Sequence, residues 1–150
     1  MNSYPDTSFL CALYRQQDNT AEAVRHRAAM TDALPVTALL LYEFRQSVRW
    51  QIFLHGKDAS KGYAEREGAR MLDALQSDIT AGLVEVFPVD WAGVIGTAEQ
   101  LSAQHTSKSG YRGFDIMHVA TAVELGAKEL LTFDVRQRGL AKTAGLRARP

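Results

Sequence analysis

Apolar positions recurring three, four and seven apart mark the best-defined element of this chain. Ile116, Val119, Ala120 and Val123 share one face of a helix predicted over Asp115–Leu125. Gly126 stands where a left-handed helix stop is wanted. Leu130, Leu131 and Phe133 then make an apolar strand, Glu129–Phe133, which Asp134 ends. A helix of that length rises about 16 Å, and a strand of that length climbs about 16 Å back. Packed antiparallel, the pair returns Asp134 to the level of Asp115. Two carboxylates are therefore expected together at the carboxyl edge of a parallel sheet, where open α/β folds bind ligands.

The same patterning divides the rest of the chain. Met1–Asp6 reads as a polar strand with Pro5 near its end. Asp6-Thr7-Ser8 opens a helix carrying Phe9, Leu10, Leu13 and Tyr14, and Asn19-Thr20 starts a second with Ala23, Val24 and Met30. Leu34–Val36 is a short strand, and Thr37 caps a long helix from Ala38 to about Leu54. Leu40, Leu41, Phe44, Val48 and Ile52 form its buried stripe. The polar loop His55–Tyr63 leads to a helix over Ala64–Ala81, so the two helices form an αα-hairpin expected to project from the sheet layer. Val84–Val89 is a strand, Asp90 caps a helix over Trp91–Gln104, and Ser107–Gly113 is a loop. After Asp134 come a helix, Arg136–Ala144, stopped at Gly145, and an edge strand, Leu146–Arg149. Strands alternating with helices predict an α/β fold, a three-layer α/β/α arrangement around a central, mainly parallel sheet. Residues 1–150 are expected to form a single domain.

Composition adds limits. An apolar content of 46% suits a globular core. No apolar run reaches the roughly 18 residues of a membrane helix. The opening residues lack the basic and apolar blocks of a secretion signal. The one cysteine, Cys11, has no partner for an internal disulfide or a Cys-rich zinc site, so a cytoplasmic setting is expected. Cys11 is expected in the core, and His118 as a satisfied, half-buried histidine rather than a ligand. Trp50 and Trp91 are expected in packing or at a dimer surface.

The candidate chemistry lies in four acids. Asp6 follows the first strand, Asp115 starts a helix, and Asp134 follows a later strand. Glu43 lies in the second turn of the long helix, between Leu39–Tyr42 and Phe44. Singly, each has an ordinary explanation as a cap, a turn residue or a solvated side chain. Gathered at one edge, four carboxylates would repel and require cations. An all-oxygen set suits Mg²⁺ or Mn²⁺ rather than zinc, and such ions support phosphodiester hydrolysis. Formal charge is zero overall, which argues against simple coating of a polyanion. Setting four of the 17 acids against metal leaves 13 facing 17 basic groups, a surplus of +4. The tail Val135–Pro150 carries Arg136, Arg138, Lys142, Arg147 and Arg149 and no acid, and solvated charge explains it as well as ligand contact does.

These residues carry a resemblance. Asp6-Thr7-Ser8, Glu43 in the long helix, Asp115 in GFDIMHVATA and Asp134 in LLTFDVRQRGLAKTAGL together resemble the PIN-domain nucleases, and among them the VapC-type toxins of toxin–antitoxin pairs. The likeness spans essentially the whole chain. It implies Asp6, Glu43, Asp115 and Asp134 as catalytic acids, the three aspartates as metal ligands, and Ser8 and Thr132 as supporting hydroxyls. It further implies Mg²⁺ or Mn²⁺, an RNA substrate cut to leave a 5′-phosphate, a small antitoxin partner and a homodimer. An acidic site needs a basic rim to hold RNA; Lys57, Lys61, Lys108, Arg112, Arg136 and Arg138 are the candidates, Arg112 and Arg136 foremost. Two features depart from the family pattern. Arg136 stands where many members carry a further acid, which bears on a second metal site, and the first strand is polar. The alternative is a catalytically inactive PIN-like module that binds RNA or protein, separated from the first reading by a metal-dependent cleavage assay.

Overall fold

A computed structural model describes residues 1–150. In chain order the elements are β1 (Ser3–Pro5), α1 (Thr7–Tyr14), α2 (Thr20–Ala28), β2 (Leu34–Val36), α3 (Ala38–Lys57), α4 (Glu65–Thr80), β3 (Val84–Val86), α5 (Trp91–Ser109), α6 (Gly113–Glu124), β4 (Glu129–Leu131), α7 (Val135–Thr143) and β5 (Arg147–Arg149). This is a mixed α/β fold with seven helices and parallel strands. The chain divides into two compact units, one of Met1–Phe9 with Phe87–Pro150, the other of Leu10–Val86.

In the first unit β4 lies between β1 and β5, all parallel, with Tyr4 opposite Leu130 and Leu130 opposite Ala148. Tyr4, Leu130 and Leu131 are fully buried, as expected for strands covered by helices. Helix α6 buries Ile116, Val119, Ala120 and Ala122, and α7 buries Leu140 and Ala141. The polar first strand is buried too, Ser3 and Pro5 included. Strand β4 ends two residues earlier than the apolar run suggests. The amide of Phe133 is taken by Ser8 Oγ and that of Asp134 by Thr132 Oγ1, so hydroxyls replace the strand ladder there. Helix α5 runs on through the expected loop to Ser109, because Gly110, at φ +67°, supplies a left-handed stop only at that point.

In the second unit β2 and β3 pair in parallel, with Pro35 opposite Glu85, so the strands of the expected central sheet hydrogen-bond as separate groups of three and two. Thr37 caps α3 by accepting the amide hydrogen of Leu40 at 3.4 Å. The helix buries Leu40, Leu41, Phe44 and Val48 and reaches Lys57, three residues beyond the predicted end. Helices α3 and α4 pack as the expected hairpin. Gly68 makes the close approach possible, since a Cβ there would lie 2.5 Å from Ile52 Cδ1. Gly62, at φ +57°, closes the loop against the backbone carbonyl of Gln51, where any side chain would collide. Tyr14 donates to Asp78 Oδ2 at 2.7 Å and ties the end of α1 to α4; burial, then that hydrogen bond, raises its phenol above the ordinary range.

Candidate active site

Asp6 follows β1 because its backbone amide continues the sheet, donating to the Leu131 carbonyl at 3.0 Å. Its side chain is fully buried. Oδ1 accepts from Ser8 Oγ at 2.6 Å and from the Phe9 amide at 2.9 Å, and Oδ2 accepts from Thr132 Oγ1 at 2.6 Å. Burial raises the Asp6 pKa above its ordinary value of 3.8, while the Ser8, Thr132 and Phe9 hydrogen bonds and the nearby His118 pull the other way. His118 is fully buried rather than half-buried, with the Thr7 hydroxyl 3.4 Å from its Nε2 and the Tyr4 ring at a centroid distance of 6.5 Å.

Two hydroxyls join Asp6 to the segment after β4. Ser8 donates to Asp6 and accepts from the Phe133 amide at 2.9 Å. Thr132 donates to Asp6 and accepts from the Asp134 amide at 2.9 Å. Each hydroxyl is thus polarised from a backbone N–H toward the same carboxylate. The Phe9 and Phe133 rings stack nearby, centroids 5.9 Å apart. Asp134 caps α7, its Oδ1 accepting from the Arg136 amide at 2.7 Å and the Gln137 amide at 3.1 Å.

Asp115 lies in the first turn of α6, half-buried. Gln137 links it to the Asp134 cap. The Gln137 side-chain Nε2 reaches Asp115 Oδ1 at 3.5 Å, while the backbone amide of the same residue binds Asp134. Gln137 is 5% exposed, and its Oε1 is buried without a hydrogen-bond partner. Leaving a buried acceptor unsatisfied costs about 1–3 kcal/mol. Sequence patterning missed this residue. Its signal was the place three after a capping acid, where a glutamine ordinarily reads as part of a capping box.

Glu43 is half-buried on α3 in the other unit. As the side chains stand, no three His, Cys, Asp or Glu residues converge on one point to hold an ion. Asp6, Asp115 and Asp134 each accept hydrogen bonds from neighbouring donors. Carboxylate and amide oxygens are the donor types that a hard, oxygen-seeking cation takes.

The basic candidates differ in what already engages them. Arg138 donates to the Pro150 oxygen at 2.8 Å and to the Thr132 carbonyl at 3.0 Å, so its guanidinium serves the fold rather than an open rim. Lys61 pairs with Asp58 at 3.4 Å, and Lys57 Nζ lies 5.6 Å from the centre of the Phe53 ring. Arg112, at the N-cap of α6, and Arg136, in the first turn of α7, are exposed, as is Lys108. Arg147 and Arg149 lie 3.0 and 3.9 Å from Glu129 Oε1. Cys11, expected in the core, is half-buried, with its sulfur 3.6 Å from Ser47 Oγ. Trp50 and Trp91 are both exposed.

A family comparison matches the PIN domain over residues 3–143. Among solved structures, the Mycobacterium tuberculosis toxin VapC20, described as cleaving the sarcin–ricin loop, superposes with a TM-score of 0.67 at 19% identity, covering 99% of this chain and 100% of its own. VapBC2 from Rickettsia felis, bound to a DNA fragment from its promoter, gives 0.67 at 12% identity, covering 99% and 98%. VapBC-1 from nontypeable Haemophilus influenzae gives 0.62 at 14%, covering 99% and 97%. No curated protein matches.

Proposed function

The chain belongs to the PIN domain family, and we propose that it is a metal-dependent endoribonuclease acting as the toxin of a toxin–antitoxin pair. The observation that carries this reading is the hydrogen-bonded series in one unit that runs from Asp6 through Thr132 to Asp134, and through Gln137 to Asp115. Three acids from separated stretches of sequence are linked in it by Thr132, by Gln137 and by backbone amides. A hydrophobic core has no need of such an arrangement.

The cation is Mg²⁺ or Mn²⁺, held by Asp6, Asp115 and Asp134, with Glu43 as a fourth catalytic acid. When bound, the ion supplies activation of water and neutralises charge at the scissile phosphate. The chain supplies orientation. Ser8 and Thr132 hold both oxygens of Asp6 in place, Asp134 is fixed by the first turn of α7, and Gln137 steadies Asp115. The exposed Arg112 and Arg136 offset the acids for an incoming phosphate backbone.

Residues 1–150 act as one cytoplasmic nuclease domain, a homodimer that binds a small antitoxin. The solved VapBC complexes support the partner. So do the exposed apolar side chains Tyr42, Trp50 and Phe53 on α3 and Ile95 and Phe114 in the other unit, which association would cover. Incubating the purified protein with RNA, with Mg²⁺, Mn²⁺ or chelator, tests the proposal. Metal-dependent cleavage with 5′-phosphate ends, lost in Asp115→Asn, is the expected result. RNA binding without cleavage under every condition would replace it with the inactive binding module.

A further inference from the structure

Gln137 occupies the third position of α7, three residues after the capping Asp134. In that sequence setting a glutamine side chain usually turns back to the amide of the cap. Here the Asp134 amide is already taken by Thr132 Oγ1. The Gln137 side chain is left to turn toward Asp115 instead.

Its amide can face Asp115 in two ways. With Nε2 forward, an N–H meets the carboxylate. Reversed, two acceptor oxygens would meet and repel. The observed orientation sets Nε2 toward Asp115 Oδ1, and Oε1 stays buried without a hydrogen-bond partner. Turning the amide over does not relieve it. The Arg138 guanidinium, next in sequence, is committed to Thr132 and Pro150. A leucine or methionine would occupy the same buried place at no polar cost. Oε1 is thus left for a partner that the chain itself does not supply.

We propose that Gln137 belongs to the cation site: Oε1 meets the divalent ion or its hydration shell while Nε2 holds Asp115. The inference rests on the metal-dependent reading above and adds a residue to it. Amide carbonyls are ordinary ligands of hard cations, and Mg²⁺ keeps several waters whose hydrogens need acceptors. A neutral oxygen at this place, with Arg136 beside it in sequence, also leaves the site less negative than a further carboxylate would. Gln137→Glu then strengthens the hold on the ion.

The test is Mn²⁺ binding to the purified protein without RNA, followed by the electron paramagnetic resonance signal of the free ion. Melting in chelator is measured alongside. Gln137→Met is expected to fold and to melt in chelator no lower than the wild type, since it removes an unsatisfied acceptor. Its Mn²⁺ affinity should fall about tenfold or more, the usual loss when a supporting residue is removed. Gln137→Glu should bind Mn²⁺ at least as tightly as the wild type while melting lower in chelator, because it faces Asp115. This second variant keeps the test valid should Gln137→Met fold poorly. Unchanged Mn²⁺ affinity in both variants, with cleavage intact in the wild type, would overturn the role of Gln137 alone. A wild type that neither binds Mn²⁺ nor cleaves RNA would overturn this inference and the nuclease reading together.

Discussion

Thr132 and Asp6, 126 positions apart in the chain, share a 2.6 Å hydrogen bond between a hydroxyl and a fully buried carboxylate. The same hydroxyl accepts the amide hydrogen of Asp134. One side chain thus sets the spacing between the end of β1 and the start of α7. Thr132→Val keeps the shape and removes both bonds. It should cost about 1–3 kcal/mol, the penalty for stranding a buried polar group. In a chain of this size each kcal/mol lowers the melting temperature by about 2–4 °C. Cleavage should fall with it, and Thr132→Ser should recover most of both. Equal melting of the valine variant and the wild type would remove this bond from the account.

Asp6 is held at odds with its own charge. Burial raises its pKa above the ordinary value despite the hydrogen bonds to it. The folded state therefore takes up the Asp6 proton at higher pH than the unfolded chain does. An acid shifted this way costs stability while ionised, and the cost is relieved as pH falls through its folded pKa. Relief is complete below the unfolded value of about 3.9. Asp6→Asn is neutral throughout. The amide nitrogen removes one acceptor, a loss that does not vary with pH. In chelator the melting of Asp6→Asn relative to the wild type should therefore be highest at pH 7 and should fall on acidification. Cleavage should fall at least about a hundredfold, given the several kcal/mol that metal-held charge supplies. Melting differences that do not change with pH would show that the Asp6 charge is not what strains the fold.

How much of this was legible in the sequence depends on the range of the interaction. The spacing of Ile116, Val119 and Ala120 is local, and it located α6 and its buried face. The run at Leu130 and Leu131 located β4 for the same reason. The end of β4 was not legible, because it depends on Ser8 and Thr132 taking amides that a strand would otherwise use. The basic tail looked uniform in sequence, yet the structure separates it. Arg138 bonds inward to backbone oxygens, while Arg136, two residues earlier, is exposed. Gln137 was hidden by a local rule that a distant hydroxyl had already satisfied.

That division of the arginines gives a third prediction. For single strands, each phosphate contact contributes about 0.7 to the slope of log affinity against log salt. Arg112→Gln and Arg136→Gln should each weaken RNA binding and flatten the slope by roughly that amount, whatever the RNA sequence. Arg138→Gln should leave the slope alone and instead lower the melting temperature, since two backbone acceptors lose their donor. Binding is measured in Ca²⁺, expected to hold the complex without efficient cutting. Normal slopes for Arg112→Gln and Arg136→Gln would move the RNA path to Lys57 and Lys61 in the second unit.

The metal itself gives the last prediction. Gln137 joins Asp115 to Asp134, and Thr132 joins Asp6 to Asp134. Carboxylates linked in this way still repel, and a cation placed among them is bound more tightly by the folded chain than by the unfolded one. A ligand that prefers the folded state stabilises it by about 2.7 kcal/mol at a hundred times its dissociation constant. That corresponds to a rise of roughly 5–11 °C at 2–4 °C per kcal/mol. Mg²⁺ or Mn²⁺ should therefore raise the melting temperature of the wild type. Asp115→Asn keeps the side-chain shape and the contact with Gln137 but removes a charge, so the rise should be blunted. Adding Na⁺ to the same ionic strength should reproduce neither effect, because screening of surface charge falls off without regard to site. Equal shifts in the wild type and Asp115→Asn would place the stabilising ion elsewhere on the protein.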